Sequence, residues 1–209
     1  GGGTDVGNLS EGRYNCSGQS SSTHGYTCAG QPGAKDTIDK FPFTSGFATA
    51  TDVGNLTGGR NKVAGQSSIP NGYGYNTGGG NVIDKFSFSS DGDATVAGNT
   101  LTTRSYVAGQ SSATHGYTSG NYPITSDIDK FPFSSDADAT DVGDLSVARG
   151  IACGQSSATH GYTSGGYTTG RDDTIDKFSF STDGNATDIG QLSVTRNGPA
   201  GQSSTTHGY

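Results

Sequence analysis

Residues 154–192 read GQSSATHGYTSGGYTTGRDDTIDKFSFSTDGNATDIGQL, a stretch with no helical pattern and with four short β-compatible runs. Glycine, serine and threonine interrupt every window in which an apolar face of period 3.6 could develop. Working outward from Arg149, a first strand of small residues is predicted over 151–156. Ala158, Thr159 and His160 turn the chain into a second strand over 161–164. A glycine-rich loop leads to a third strand over 174–181, where Phe178 and Phe180 share one face and Ile175, Lys177 and Ser179 the other. Asp183, Gly184 and Asn185 form a hairpin signal, and 186–192 returns as a fourth strand.

The rest of the chain is nearly a set of copies of this stretch. GQSS begins at Gly18, Gly65, Gly109, Gly154 and Gly201, in steps of 47, 44, 45 and 47 residues. IDKF begins at Ile38, Ile83, Ile128 and Ile175, and an arginine precedes each GQSS, at Arg13, Arg60, Arg104, Arg149 and Arg196. Self-similarity at this period marks a repeat architecture whose units pack on their neighbours. Four full repeats, at about 13–59, 60–103, 104–148 and 149–195, are flanked by partial units at 1–12 and 196–209. The whole is expected to be a single domain. The chain has no Met, and its first and last segments start and stop within a unit, from which a slice of a longer repetitive protein is expected.

Composition alone, with 36 Gly and 29% hydrophobic residues, points to low complexity. The fixed phase of the apolar residues overrules that reading. A net charge of −7, from 19 acidic and 12 basic residues, disfavours nucleic acid and anionic lipid as partners. No run approaches the roughly 20 apolar residues of a membrane-spanning helix. Cys16 and Cys28 lie symmetrically about Ser22, so a hairpin turning there sets them opposite each other for a cross-strand disulfide. Cys153 takes a slot filled by Ala64, Ala108 and Ala200 elsewhere and reads as a small buried residue.

Four antiparallel strands per 44–47 residues match the spacing of a propeller blade, so the expected fold class is an all-β propeller, five-bladed if closed or part of a larger ring. The order of arginine, small-residue strand, Gly-Tyr strand, glycine doublet (Gly165, Gly166) and aromatic strand resembles the kelch-type repeat. The kelch tryptophan is absent, with Leu56, Leu101, Leu145 and Leu192 nearest its place. The wording IDKFPFSSDADATDVGDL followed by GQSSATHGYTSGG also resembles repetitive virion or tail-associated proteins of marine bacteriophages.

Copies differ most between the second and third strands, and on a propeller those connections gather around one mouth. Tyr75, Asn76, Asn121, Tyr122, Tyr167, Arg171, Asp172 and Asp173 are therefore the candidate ligand-binding residues, suited to stacking on sugars and bonding hydroxyls. His24, His115, His160 and His207 share one repeat position, given to Asn71 in the second copy, and read as turn residues. No catalytic residues and no metal ligands are assigned, because a Ser-His-Asp set must be unique and here each member recurs a unit away. The acidic hairpins at Asp91, Asp136 and Asp183 alternate oxygen side chains as calcium loops do, yet none supplies the terminal glutamate; Ca2+ is the alternative to a plain turn. The recurrent Asp-Lys pairs, such as Asp129 with Lys130, are expected to tie neighbouring units through the lysine.

The resemblance implies a non-enzymatic structural or adhesion module of a virion. It would be extracellular or particle-borne and would contact other structural proteins, its own copies or cell-surface glycans. Alternatives are a galactose-oxidase-like or sialidase-like propeller enzyme and a secreted bacterial or algal adhesin.

Overall fold

A computed structural model of the chain describes residues 3–44, 49–204 and 206–209. Parts of the predicted units at 1–2, 45–48 and 205 lie outside them. Sixteen strands form four antiparallel sheets of four. The first holds β1 (Ser17–Ser20), β2 (His24–Cys28), β3 (Thr37–Pro42) and β4 (Thr51–Asn55). The second holds β5 (Val63–Ser68), β6 (Tyr73–Gly78), β7 (Gly80–Ser87) and β8 (Thr95–Arg104). The third holds β9 (Ala108–Ser111), β10 (His115–Asn121), β11 (Thr125–Pro132) and β12 (Thr140–Asp144). The fourth holds β13 (Cys153–Ser156), β14 (His160–Tyr167), β15 (Arg171–Ser179) and β16 (Thr187–Gln191). Within each sheet the strands follow chain order, as expected of hairpin-connected strands.

Each letter of the repeat motif has a physical role. The glycine of GQSS lets first strands of successive sheets approach. An added Cβ on Gly65 would collide with the Gly18 carbonyl oxygen, one on Gly154 would collide with that of Gly109, and one on Gly109 would sit 2.8 Å from the Gly65 oxygen. The glutamine crosses to the next sheet: Gln19 Nε2 donates to Tyr75 O at 2.8 Å, Gln66 to Tyr117 O at 2.9 Å and Gln110 to Tyr162 O at 3.0 Å. The first serine continues the link, for the backbone N–H groups of Ser20, Ser67, Ser111 and Ser156 each donate to the hydroxyl of the serine one repeat on. The second serine closes the turn, as when His115 N–H donates to Ser112 Oγ at 2.9 Å.

Aromatic residues interlock the sheets. The tyrosine of one sheet stacks on the second phenylalanine of the next and tilts against the first: Tyr26 on Phe88 and Phe86, Tyr75 on Phe133 and Phe131, Tyr117 on Phe180 and Phe178. The stacked centroids are 4.8–4.9 Å apart, and each such pair contributes about 0.5–1.5 kcal/mol beyond its burial. The glycine before each tyrosine makes room for its own sheet's phenylalanine ring, which a Cβ on Gly74 or Gly116 would strike. These contacts, with Ile38, Ile83 and Ile128 fully buried beneath them, make three hydrophobic clusters among the described residues.

Charge is equally ordered. The repeat arginine lies buried against the aspartate of its own sheet: Arg13 with Asp39, Arg60 with Asp84, Arg104 with Asp129 and Arg149 with Asp176. The adjacent lysine reaches the hairpin of the next sheet, Lys40 to Asp91, Lys85 to Asp136 and Lys130 to Asp183, as expected.

The predicted propeller does not form. The four sheets are separate, none is curled into a barrel, and among the described residues the set is not closed. Contacts between sheets run from first to second, second to third and third to fourth. Among the described residues no hydrogen bond, ion pair or aromatic contact joins 196–209 to the first sheet. The physical reason is that the glutamine, tyrosine and lysine contacts joining one sheet to the next are not made between residues 196–209 and the first sheet; the described residues there pair only locally, Ser203 bridged to Gly208 and Gln202 to Tyr209. At the other end, residues 4–9 occupy the place of a preceding outer strand, Asn8 O accepting from Ala50 N as Asn55 O accepts from Ala94 N.

Candidate functional site

The predicted binding mouth dissolves once its residues are placed. Tyr75 and Asn76 lie within β6, both buried: Tyr75 holds the interlock to the third sheet, and Asn76 Nδ2 donates to Ser17 Oγ at 2.6 Å. Burial pushes the Tyr75 hydroxyl up to about 12. Asn121 is buried, its Oδ1 accepting from Ser105 N–H at 2.7 Å. Tyr122 is 47% exposed, its ring lies edge-on to Tyr106, and its N–H donates to Ser105 O at 2.9 Å. Tyr167 and Arg171 face each other across the β14–β15 turn, and Asp172 Oδ1 accepts from Thr174 N–H while the Asp173 carbonyl accepts from Leu192. Three of the eight are therefore interior, and an open row has no single mouth to gather the others. The adhesion propeller expected from that mouth and the kelch likeness, and its placement on a virion from the repeat wording, are corrected with it, since no closed propeller forms.

The second repeat explains the error at Tyr75. Its turn, Ile69-Pro70-Asn71-Gly72, is longer than its counterparts, so Tyr73, not Asn71, takes the histidine register opposite Ser87, and Tyr75 takes the tyrosine register. His24, His115, His160 and His207 each place Nδ1 2.8–2.9 Å from the hydroxyl of the preceding threonine, a turn arrangement.

The acidic hairpins spend their oxygens on neighbouring sheets. Asp91 and Asp183 take lysines, while Asp93 and Asp138 accept the amides of Asn55 and Asn99. Among the described residues no group of three or more His, Cys, Asp or Glu is placed to hold a metal, which also removes support from the propeller-enzyme alternative. Burial raises the Asp84 and Asp129 carboxyls above the ordinary aspartate value, against the pull of Arg60 and Arg104. Cys16, Cys28 and Cys153 are all free thiols. Cys28 sits opposite Ser17 rather than Cys16, and its Sγ donates to Gln19 Oε1 at 3.3 Å. Burial pushes the Cys28 thiol strongly upward.

What the structure leaves unengaged lies at the two ends. On the first sheet, Phe41 and Phe43 touch each other edge-on but no tyrosine, and Phe43 is 55% exposed. On the fourth, among the described residues, Tyr162 has no phenylalanine pair, Lys177 no acidic partner and Arg196 no aspartate such as its counterparts hold. Tyr209 of the terminal hairpin is 71% exposed. The first strands β1, β5, β9 and β13, residues 200–202, and Phe41 with Phe43 line one cleft of about 540 Å³. Sequence reasoning passed over Phe41, Phe43, Tyr162, Lys177, Arg196 and Tyr209. The signal that could have found them is which copy lacks the neighbour its motif requires.

Comparison with protein-family models and with curated proteins finds no match, so the kelch likeness has no support outside the residues quoted for it.

Proposed function

We propose that the chain is a non-enzymatic association module that joins other copies of itself through its open end sheets. The observation that carries this reading is the aromatic interlock: three are complete among the described residues, and two matching halves stay unengaged, Phe41 and Phe43 on the first sheet and Tyr209 beyond the fourth. Such an interface is heterologous, head to tail, and builds rings or filaments according to whether its rotation closes. A non-catalytic role is supported by how the reactive side chains are occupied. Each buried repeat aspartate is held by an arginine, and each repeat histidine by a threonine. Sedimentation velocity over a range of concentrations tests the proposal. The native chain should form larger species as concentration rises, and Phe43→Asp should remain monomeric. A native chain that stays monomeric throughout, or a Phe43→Asp variant that associates equally well, refutes it.

A further inference from the structure

We infer that Lys62, Tyr106 and Tyr122 form a binding corner for an acidic saccharide, the Lys62 ammonium taking the carboxylate and the two tyrosines taking the sugar ring and its hydroxyls. The corner lies within the joint between the second and third sheets, and the inference goes beyond the association proposed above.

The residue two places after each repeat arginine is held in the left-handed region. Asn15, Lys62, Tyr106 and Ile151 have φ of 55°, 62°, 53° and 56°, and Gly198 has 64°. A backbone hydrogen bond links each to the next: Lys62 N–H donates to Asn15 O at 2.9 Å, Tyr106 N–H to Lys62 O at 2.8 Å and Ile151 N–H to Tyr106 O at 2.8 Å. Glycine and asparagine suit that conformation, whereas a bulky or β-branched side chain in it is an outlier. The ladder itself needs only the backbone, since Asn15 and Gly198 take the same conformation and join the same series of bonds. Close by, GQSS and the arginine recur from copy to copy, while at this position the side chain changes every time. Side chains held against local strain, and varied where the scaffold is fixed, point to a task other than folding.

The chemistry of that task is clearest at the step from Lys62 to Tyr106. Lys62 Nζ lies 4.8 Å from the Tyr106 ring centroid, and the Tyr122 ring stands edge-on to Tyr106 at 6.2 Å and 88°. Tyr122 is exposed and the other two are half-buried, so the corner opens to solvent. Lys35, Lys40, Lys85 and Lys130 each hold a carboxylate, and Lys62 holds none among the described residues. Lys85 also lies over a tyrosine, Tyr73 at 5.2 Å, but its charge is already taken by Asp136. The hydroxyls of Tyr26 and Tyr75 reach Phe88 O and Phe133 O, whereas those of Tyr106 and Tyr122 bond no protein group among the described residues. An uncommitted ammonium selects an anion locally, and the net charge of −7 disfavours a long polyanion around it. Two ring surfaces at right angles fit the C–H faces of a saccharide, and two phenol hydroxyls fit its hydroxyl groups. A simple anion would leave the rings unused, and a neutral sugar would leave the ammonium unused.

The probe is trigalacturonic acid, titrated into the intact chain at low salt and followed by backbone amide chemical shifts, with neutral galactotriose and sodium acetate as comparisons. Saturable shifts centred on Lys62, Tyr106 and Tyr122 are expected with the acidic trisaccharide, and binding at least about tenfold weaker with either comparison. Lys62→Gln should bring the acidic sugar down to the level of the neutral one. Tyr106→Asn puts into the left-handed position the residue type that Asn15 already carries there, so it should keep or raise the urea midpoint while weakening binding at least about tenfold. Tyr73→Ala should leave binding unchanged. No saturable binding, a neutral sugar or acetate that binds as tightly, or shifts centred elsewhere overturns the inference. A Tyr106→Asn chain that is destabilised, or that binds as the native chain does, overturns it too, because the ring would then serve folding or nothing at all. Phe43→Asp, which removes association between copies, should leave saccharide affinity unchanged, so the two readings fail separately.

Discussion

Alanine at Gly65 and alanine at Gly18 are the same substitution at the same motif position, and the open row gives them opposite consequences. At Gly65 the new methyl group meets the Gly18 carbonyl oxygen, which cannot rotate away, and lies 2.8 Å from Gln19 Nε2. Overpacking of this kind costs about 1–3 kcal/mol. Displacing Gln19 also endangers its bond to Tyr75 O, about 1 kcal/mol more. At Gly18 the nearest atom is Tyr26 O at 3.9 Å, an ordinary contact, because among the described residues no strand packs on the outer side of β1. There alanine only restricts the unfolded chain, a gain of about 0.4–1 kcal/mol. The unfolded-chain gain is common to both variants, so they should differ by roughly 2–4 kcal/mol, or about 1–2 M in urea midpoint for a slope near 2 kcal/mol per M. Urea unfolding followed by tyrosine fluorescence measures this, since the chain has 10 Tyr and no Trp. Gly154→Ala should resemble Gly65→Ala, and Gly109→Ala should be milder because its closest contact is 2.8 Å. Equal losses at Gly18 and Gly65 would mean that β1 has a neighbour on its outer side, and the open row would be refuted.

Arg104→Ala strands a buried Asp129 and should cost about 3–5 kcal/mol in the same assay, whereas Arg104→Met with Asp129→Leu should recover most of that; a double variant as unstable as the single one contradicts the argument. In the native state a thiol reagent should modify Cys16 alone, and Cys28 and Cys153 should react only after unfolding, so titration of more than one thiol per native chain counts against their burial. Asp84 has a raised carboxyl pKa in the folded chain, so its contribution to stability is fully present below the ordinary aspartate value and is lost as pH rises through the raised value. The stability difference between the native chain and Asp84→Asn should fall across that window, and a difference that grows with pH would reverse the assignment.

Much of the local structure was legible because the chain repeats itself. In the fourth sheet the strands expected at 151–156, 161–164, 174–181 and 186–192 are observed as β13, β14, β15 and β16, shifted by a few residues. The lysine-to-neighbour pairing was legible from period 2 alone, since adjacent strand residues cannot face each other. Ring closure was not legible, because four strands per period describe a sheet and say nothing of how many sheets complete a circle. The register of Tyr75 was hidden by the longer turn at 69–72. Copying the His-Gly-Tyr landmark onto Asn71, Gly72 and Tyr73 moved a core tyrosine into a loop. Where the copies are equal in length the motif aligns itself. In the one copy with a longer turn, only the pairing with Phe131 and Phe133 reveals which tyrosine is structural.

The conserved period of this chain measures a joint more than it measures a sheet. Of the groups in GQSS, HGY and IDKFxF, the glycine, the glutamine, the first serine, the tyrosine, the lysine and the second phenylalanine all act on the neighbouring sheet. The second serine, the isoleucine and the aspartate act within their own. A sheet taken alone would thus expose most of what its sequence specifies, and its stability resides in nearest-neighbour terms, as in other stacked repeats. The second and third sheets have neighbours on both sides. Among the described residues Phe43 of the first sheet and Tyr209 beyond the fourth stand exposed, although their counterparts elsewhere in the chain are held in joints. The proposed association rests on those two groups, because a joint between copies would bury them as the internal joints bury theirs.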